Sequence, residues 1–231
     1  MALPKHIAII LDGNRRFARK RGLALQEGHA RGAEKVGELI KWSKQAGLRE
    51  LTLYIFSLEN FNRNPKEKEH LMRLFLKYFL RLEKEAEKDK FNTRIRFIGR
   101  LNLFPKEVQD AARKIMKLTE KNSKHFINFA FGYGGRAEIV DAAKRLVCEA
   151  AEGSIKPEEI TEASLLKHCY LSSEPDLIIR PGGEHRTSNF LTYQSAYSEW
   201  YFTDRYWPEF TRKDFFDAIS DYSRRKRRFG K

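Results

Sequence analysis

Asp12 is the first residue with clear chemical potential, because it directly follows the apolar run at residues 7–11. A carboxylate in that place can coordinate Mg²⁺ that is bound to substrate phosphates. Gly13 allows close backbone approach to the same anion, Asn14 offers an amide donor, and Arg16 offers a cation. The alternative is an aspartate that only caps the next turn, and the residue by itself does not decide between the two.

A second set of anion-binding side chains lies in residues 176–191. Arg180, Arg186 and Ser188 fall within one short loop there, and arginine supplies a planar donor fork that suits phosphate oxygens. Two such sets suggest two diphosphate groups. Glu199 stands in an aromatic stretch, where an unpaired charge would be unfavourable, so we expect a cation beside it. A buried structural salt bridge is the alternative.

These residues must be positioned by the elements around them. Short apolar runs predict strands at residues 7–11, 51–56, 94–98, 126–131 and 177–179. Longer amphipathic stretches predict helices at residues 33–45, 66–88, 105–121, 136–151, 161–169 and 212–224. The alternation predicts an α/β fold with a mostly parallel central sheet flanked by helices. Because the chain has no internal repeat, linker or clear boundary, we expect one domain over residues 1–231.

Each predicted strand is followed by glycine, amide or charged residues. These clusters are residues 12–16, 57–63, 99–100, 132–136 and 180–184. Ligands of open parallel sheets bind beyond the carboxyl ends of the strands, so all five clusters are expected to converge on one crevice. The repeated pairing of glycine with arginine indicates diphosphate binding. For any single cluster, glycines that merely form a strand-to-helix turn are the alternative.

The predicted helix at residues 66–88 is unusually apolar. Between residues 71 and 82 its apolar side chains cover roughly 240° of the circumference, at about 100° per residue, which is wider than an ordinary core stripe. One side of this helix would pack on the sheet. The other would line a hydrophobic cleft for a lipid tail or form a dimer contact, and the helix alone favours neither.

The composition argues against a membrane-spanning or secreted protein and indicates an anionic partner. The chain has 231 residues, 41% of them hydrophobic, and no run of about 18 apolar residues that could cross a bilayer. No secretion signal is recognisable, and Cys148 and Cys169 lack metal-binding spacing, so we expect a cytoplasmic location. The net charge of +14 indicates an anionic partner, but charge alone does not distinguish nucleic acid, membrane and phosphorylated metabolites.

Several ordered motifs make the chain resemble the cis-prenyltransferase family, of the undecaprenyl and dehydrodolichyl diphosphate synthase type. The motifs are residues 6–18, 54–63, 133–139, 176–191, 194–202 and 207–208. The resemblance implies consecutive condensation of isopentenyl diphosphate onto farnesyl or geranylgeranyl diphosphate, with cis double bonds and a requirement for Mg²⁺. It further implies a medium- to long-chain product for lipid glycan carriers, which grows in a hydrophobic tunnel. Release of such a product suggests a peripheral membrane contact.

The resemblance also implies roles for individual residues. Asp12 and Asn60 would be catalytic, and Asp12 and Glu199 would hold the metal. The allylic diphosphate would be bound by Gly13, Asn14, Arg15, Arg16, Phe17, His29, Ser57, Phe61 and Arg63, with Glu67 at the start of the following helix. Isopentenyl diphosphate would be bound by Arg180, Arg186, Ser188, Arg228 and Gly230. The C-terminal segment of this family reaches the neighbouring subunit's site, which implies a homodimer.

The chain departs from the bacterial version of these motifs at four positions. Arg15, Leu25, Gly132 and Pro181 stand where glycine, arginine, asparagine and threonine are usual. Arg15 could compensate for the arginine missing at position 25, and the primer preference is left open. Two other classes compete with the enzyme: a noncatalytic subunit of a heteromeric prenyltransferase, and a nucleic-acid-binding protein, suggested by the basic run at residues 224–228. The retained site residues favour the enzyme, so no nucleic acid partner is expected.

Overall fold

A six-stranded parallel sheet forms the centre of the computed structural model, which describes residues 3–88 and 92–226. Its strands are β1 His6–Ile10, β2 Glu50–Ser57, β3 Thr93–Ile98, β4 His125–Tyr133, β5 Leu177–Pro181 and β6 Glu199–Thr203. Their order across the sheet is β3-β4-β2-β1-β5-β6, and each neighbouring pair is parallel. β1 lies between β2 and β5, so the residues that follow these three strands meet at one edge of the sheet.

Helices fill most of the connections between strands. They are α1 Asn14–Lys20, α2 Leu25–Gln45, α3 Pro65–Glu87, α4 Lys106–Leu118, α5 Gly135–Ala151, α6 Glu162–His168 and α7 Arg212–Arg224. Side-chain caps fix several of their first turns: Asn64 accepts a hydrogen bond from the Lys66 N–H at 2.9 Å, just before α3. No helix in the described ranges is both long and apolar enough to cross a membrane.

Alternate side chains of each strand enter two separate cores. Ile7 and Ile9 of β1 belong to the larger core, on the side of α2, α3, α4 and α7. Ala8 and Ile10 belong to a smaller core on the opposite face. Because both faces are covered, the central strand β1 is buried along its whole length, and each fully buried isoleucine contributes about 1.5–3 kcal/mol of transfer free energy.

Aromatic rings hold α3 against the sheet. Phe75 meets Phe131 of β4 edge-on with centroids 4.7 Å apart, and Phe79 meets Phe97 of β3 at 4.6 Å. These rings occupy the sheet-facing side of α3. Phe75 and Phe79 also line a cavity between α3 and α2, together with Leu71, Leu74 and Leu82 of the same helix.

The predicted α/β class and parallel sheet are confirmed, and all the predicted strands and helices form in the described residues. Three further features have no counterpart in the predictions. α1 is too short and too charged to give a helical hydrophobic period. α2 begins earlier than residue 33, because Gly28 and Gly32 lower the helix propensity of its first turns. β6 is a half-buried edge strand and therefore lacks the alternation of buried and exposed residues.

Candidate active site

A cavity of about 870 Å³ lies at the carboxyl edge of the sheet. Its polar part is lined by residues at the carboxyl ends of β1, β2 and β5 or directly after them, together with one residue of α2. These residues are Asp12, Gly13, Asn14, Arg15, Arg16, His29, Ser57, Asn60, Arg63, Arg180, Arg186 and Ser188. Its apolar part lies between α2 and α3: Val36, Ile40, Leu71, Leu74, Phe75, Phe79 and Leu82. Both helices begin beside the polar residues and run away from them, so charged and apolar surfaces are separated along the cavity.

Asp12 is the centre of the polar part. Its Oδ2 accepts a hydrogen bond from Arg180 Nη2 at 2.8 Å, and its Oδ1 lies 3.0 Å from Arg16 Nη2. Burial acts to raise the pKa of Asp12, but these two guanidinium groups outweigh it and hold the pKa below its ordinary value. Asp12 is therefore a carboxylate at neutral pH, bridging the two predicted diphosphate-binding sets.

Arg180 is almost fully buried, with 3% of its surface exposed. Its Nη1 donates to Ser188 Oγ at 2.8 Å and to the carbonyl oxygen of Arg186. The structure thus brings the three predicted residues of the second set together. Arg16 makes the matching contact on the other side, donating to Glu184 Oε1 at 2.8 Å.

Glu67 organises a second group of charges at the start of α3. Its Oε1 lies 3.2 Å from both His29 Nε2 and Arg63 Nη1, and 3.9 Å from Arg15 Nε. Burial lowers the pKa of His29 and the nearby Arg63 lowers it further, whereas Glu67 acts in the opposite direction; the net pKa is below the ordinary value. His29 is therefore neutral at pH 7 and can serve as a hydrogen-bonding group.

Ser57 is the last residue of β2, and Asn60 lies in the short 3-10 helix Leu58–Asn62 that follows the strand. The Ser57 N–H donates to Asn60 Oδ1 at 3.2 Å, so the Asn60 side chain folds back on the end of the strand. Both residues line the cavity. The structure thus gathers this segment and the Asp12 segment around one space.

Close packing between α1 and α2 was not predicted and shapes the site. A Cβ atom on Gly32 would lie 2.1 Å from Asn14 Oδ1, and one on Gly28 would lie 2.4 Å from the Asn14 carbonyl oxygen. Trp207 joins the two sides, because its N–H donates to the Asp12 carbonyl at 2.9 Å and its Nε1 donates to the Gly32 carbonyl at 2.8 Å. Two glycines four residues apart in a helical pattern are the sequence signal that could have indicated this contact.

Two of the five clusters predicted to converge on the crevice do not line the cavity. Arg100, after β3, donates from Nε and Nη2 to Asp141 at 3.0 and 2.9 Å. Gly134 and Gly135, after β4, instead pack against the loop around Asn189. The prediction of one crevice for all five clusters is therefore wrong for these two clusters, which instead contact other residues of the same chain.

Phe17 and Phe61, which the resemblance places at the allylic diphosphate, are absent from the cavity wall. Phe17 is buried in α1, and Arg31 lies over its ring at 5.6 Å. Phe61 packs edge-on against Phe56 and Phe104, with centroids 4.9 and 5.1 Å apart. In this structure both rings support neighbouring elements and do not contact the cavity.

Glu199 lies at the opposite end of the sheet from Asp12 in the folded chain. It starts β6 in register with Leu177, whereas Arg180, the partner of Asp12, is in register with Phe202, about 10 Å further along the strand. The expected cation is Arg225, whose Nη1 donates to Glu199 Oε2 at 2.7 Å. The role of Glu199 in metal binding stays a prediction.

The two remaining predicted residues, Arg228 and Gly230, lie outside the described residues. Within the described ranges there is no group of three or more His, Cys, Asp or Glu side chains that could hold a metal ion by itself. Asp12 contacts both Arg180 and Arg16 at the cavity mouth, and a metal held by this single carboxylate would have to share its coordination with a ligand.

Comparison with known proteins identifies the family. The family described as "Putative undecaprenyl diphosphate synthase" matches residues 10–230. A protein of Methanocaldococcus jannaschii named tritrans,polycis-undecaprenyl-diphosphate synthase (geranylgeranyl-diphosphate specific) is 48% identical over 233 residues, covering 99% of this chain and 83% of that protein. An isoprenyl transferase of Thermus thermophilus is 44% identical over 235 residues, covering 99% and 89%.

Solved structures give the same result. Lavandulyl diphosphate synthase from Lavandula x intermedia, in complex with dimethylallyl diphosphate, matches with a TM-score of 0.95 and 35% identity, covering 99% of each chain. A "probable undecaprenyl diphosphate synthase" from Campylobacter jejuni matches with a TM-score of 0.82 and 29% identity, covering 100% of each. The resemblance inferred from the motifs is confirmed, and the chain belongs to the undecaprenyl diphosphate synthase family of cis-prenyltransferases.

Proposed function

We propose that this cis-prenyltransferase condenses isopentenyl diphosphate repeatedly onto an allylic diphosphate and releases a medium- to long-chain Z-polyprenyl diphosphate. The observation that carries the proposal is the cavity, which joins an arginine-rich mouth around Asp12 to an apolar space between α2 and α3. A diphosphate headgroup suits the first part and a growing hydrocarbon chain suits the second. In this reading the apolar part is the predicted tunnel.

The two arginine sets fit two diphosphates. The allylic diphosphate would lie at Gly13 and Arg16, and isopentenyl diphosphate would lie at Arg180, Arg186 and Ser188. When the allylic C–O bond breaks, negative charge grows on the leaving diphosphate, and preorganised guanidinium groups stabilise that charge. Holding the isopentenyl double bond beside the allylic carbon supplies proximity.

Mg²⁺ fits the donor set at Asp12. Mg²⁺ commonly binds through one or two carboxylates together with substrate phosphates and waters, and does not need a cage made entirely of protein side chains. Asp12 is ionised and partly exposed at the cavity mouth, as such a site requires. When bound, the metal would neutralise charge on the leaving diphosphate. Asp12 would hold it, and Glu199 is the second proposed ligand.

Geranylgeranyl diphosphate is the first primer to test, because the Methanocaldococcus jannaschii relative carries that specificity in its name. Farnesyl diphosphate is the second. We further propose that the product serves as a lipid carrier of glycans, and that the enzyme works as a cytoplasmic homodimer that contacts the membrane to release product. Light scattering tests the dimer, and a monomeric active enzyme would contradict it.

The activity is tested with radiolabelled isopentenyl diphosphate, either primer and Mg²⁺, followed by chain-length analysis of the products. We expect extension of at least one primer, and loss of extension when EDTA removes the metal. Absence of extension with both primers would contradict the proposed function. It would favour the noncatalytic-subunit alternative, in which activity appears only after a second protein is added.

A further inference from the structure

Asn189 ties three elements together at the edge of the cavity. Its backbone carbonyl accepts a hydrogen bond from the Gly135 N–H at 2.7 Å, and its Oδ1 accepts one from the Arg136 N–H at 2.8 Å. Its Nδ2 donates to Glu59 Oε1 at 3.1 Å. The N-terminus of α5, an anion-binding feature in many proteins, is thus occupied by an amide of the same chain.

The glycine turn after β4 is shaped for this contact. A Cβ atom on Gly134 would lie 2.9 Å from Asn189 Nδ2, and one on Gly135 would lie 2.2 Å from Thr192 Oγ1. Neither glycine lines the cavity. The close approach that the sequence indicated at this turn therefore serves a protein loop.

That loop has an unusual backbone. Ser188 and Asn189 adopt positive φ values of 50° and 61°. Asparagine tolerates this left-handed region better than other residues with a side chain, whereas serine gains little from it. Ser188 must nevertheless hold it, because in this position its Oγ accepts the 2.8 Å hydrogen bond from Arg180 Nη1. The contacts of Asn189 keep Ser188 in place.

Asn189 also reaches the other side of the cavity. Glu59 lies in the 3-10 helix Leu58–Asn62, one residue before Asn60. Glu59 and Asn189 both line the cavity, between the turn after β2 and the loop after β5. The hydrogen bond from Asn189 to Glu59 therefore connects the two loops directly.

We propose that Asn189 is a positioning residue that holds the Arg180–Ser188 pair in place and, through Glu59, links the two diphosphate-binding sides of the cavity. Isopentenyl diphosphate would then bind more tightly once the allylic side is occupied. The substrates are those of the proposed function, on which this inference rests.

The variant Asn189→Asp should break the contact with Glu59 while it preserves the other contacts that residue 189 makes in the fold. Aspartate also tolerates the left-handed backbone, its carboxylate can still accept from the Arg136 N–H, and negative charge is favourable at the N-terminus of α5. The contact with Glu59, however, becomes a repulsion between two carboxylates. Adding Glu59→Gln restores a hydrogen bond with reversed polarity, because the glutamine amide can donate to Asp at position 189. Asn102→Asp, on an exposed turn outside the cavity, is the matched control.

The variants are compared by thermal unfolding, by steady-state kinetics, and by calorimetry of isopentenyl diphosphate with and without farnesyl thiodiphosphate, an unreactive allylic analogue. We expect Asn189→Asp to unfold like the wild type, to raise KM for isopentenyl diphosphate about tenfold with a smaller change in kcat, and to lose the effect of the analogue. The double variant should recover both properties. Asn102→Asp should change neither.

Wild-type values in Asn189→Asp would overturn the inference, and so would a defect that Glu59→Gln does not rescue. A wild-type chain that binds both ligands but extends neither primer would contradict the proposed function only, since calorimetry still decides the link. If the analogue does not change the affinity of the wild-type chain for isopentenyl diphosphate, the proposed link between the two diphosphate-binding sides is contradicted. The proposed prenyltransferase function is not.

Discussion

Asp12 is held between two arginines of the same chain. Arg180 contacts one carboxylate oxygen at 2.8 Å and Arg16 contacts the other at 3.0 Å. Such an arrangement keeps both guanidinium groups oriented without burying them as unpaired charges. Under the proposed function, a diphosphate that enters the mouth would take over part of this pairing, and the Asp12 carboxylate would then be free to bind a cation.

We predict that the single substitution Asp12→Asn lowers kcat by at least about 100-fold. The neutral amide can neither hold Mg²⁺ as a carboxylate does nor form ion pairs with Arg16 and Arg180. Steady-state rates with either primer measure the effect. Asp110→Asn, at an exposed pair on α4, should leave the rate unchanged. Near-normal turnover in Asp12→Asn would remove Asp12 from the mechanism.

At the scale of elements, the strands and the residues directly after β1, β2 and β5 could be predicted from sequence, because apolar runs and the rule for parallel sheets are local signals. What could not be predicted depends on long-range packing. The glycine turn after β4 looks like a phosphate cradle until Asn189, more than 50 residues later, is seen to fill it. α1 and β6 have no hydrophobic period of their own.

Glycines of α2 offer a matched pair of tests. A Cβ atom on Gly32 would lie 2.1 Å from Asn14 Oδ1, whereas one on Gly37 would have no heavy atom of residues 3–88 and 92–226 within 4 Å. We predict that Gly32→Ala destabilises the fold by about 1–3 kcal/mol and lowers activity. Gly37→Ala should stabilise the fold by about 0.4–1 kcal/mol, because alanine restricts the unfolded chain. Urea unfolding measures both, and equal effects would contradict the packing described.

Gly37 also gives a test of the apolar part of the cavity. It lies on the same face of α2 as Ala33, Val36 and Ile40, and all four line the cavity. We predict that Gly37→Phe shortens the polyprenyl products, because the ring takes up space between α2 and α3. Chain-length analysis checks this, with Gly37→Ala as the control that also replaces the glycine but adds only a methyl group. Unchanged lengths at normal activity would place the growing chain elsewhere.

Across the sheet as a whole, a buried polar layer lies at the amino end of the strands, opposite the cavity. His6 Nε2 lies 2.7 Å from Thr52 Oγ1, and Asn128 donates to Thr52 Oγ1 at 2.9 Å and to Glu50 at 2.6 Å. Burial lowers the pKa of His6, although Glu50 and Asp176 oppose this effect. The His6 imidazole therefore binds a proton more weakly in the folded chain than in the unfolded chain.

The free energy of unfolding should consequently decrease as the pH is lowered through the range in which His6 titrates. Since the folded pKa of His6 lies below its unfolded value of about 6.5, its contribution is complete above that pH and is lost as the pH falls towards the folded pKa. We predict that the midpoint of thermal unfolding drops between pH 7 and pH 5, and that His6→Gln makes the drop shallower. His168→Gln should not, because Ser164 and Glu149 raise the pKa of His168.

The contact between Asp12 and Arg180 joins positions 168 residues apart in the chain. It exists only after β5 has paired with β1, at the centre of the sheet. During synthesis the first four strands can emerge while the arginine that orients Asp12 is still to be made. We therefore expect the Asp12–Arg180 contact to form late in folding, because it depends on long-range pairing of parallel strands.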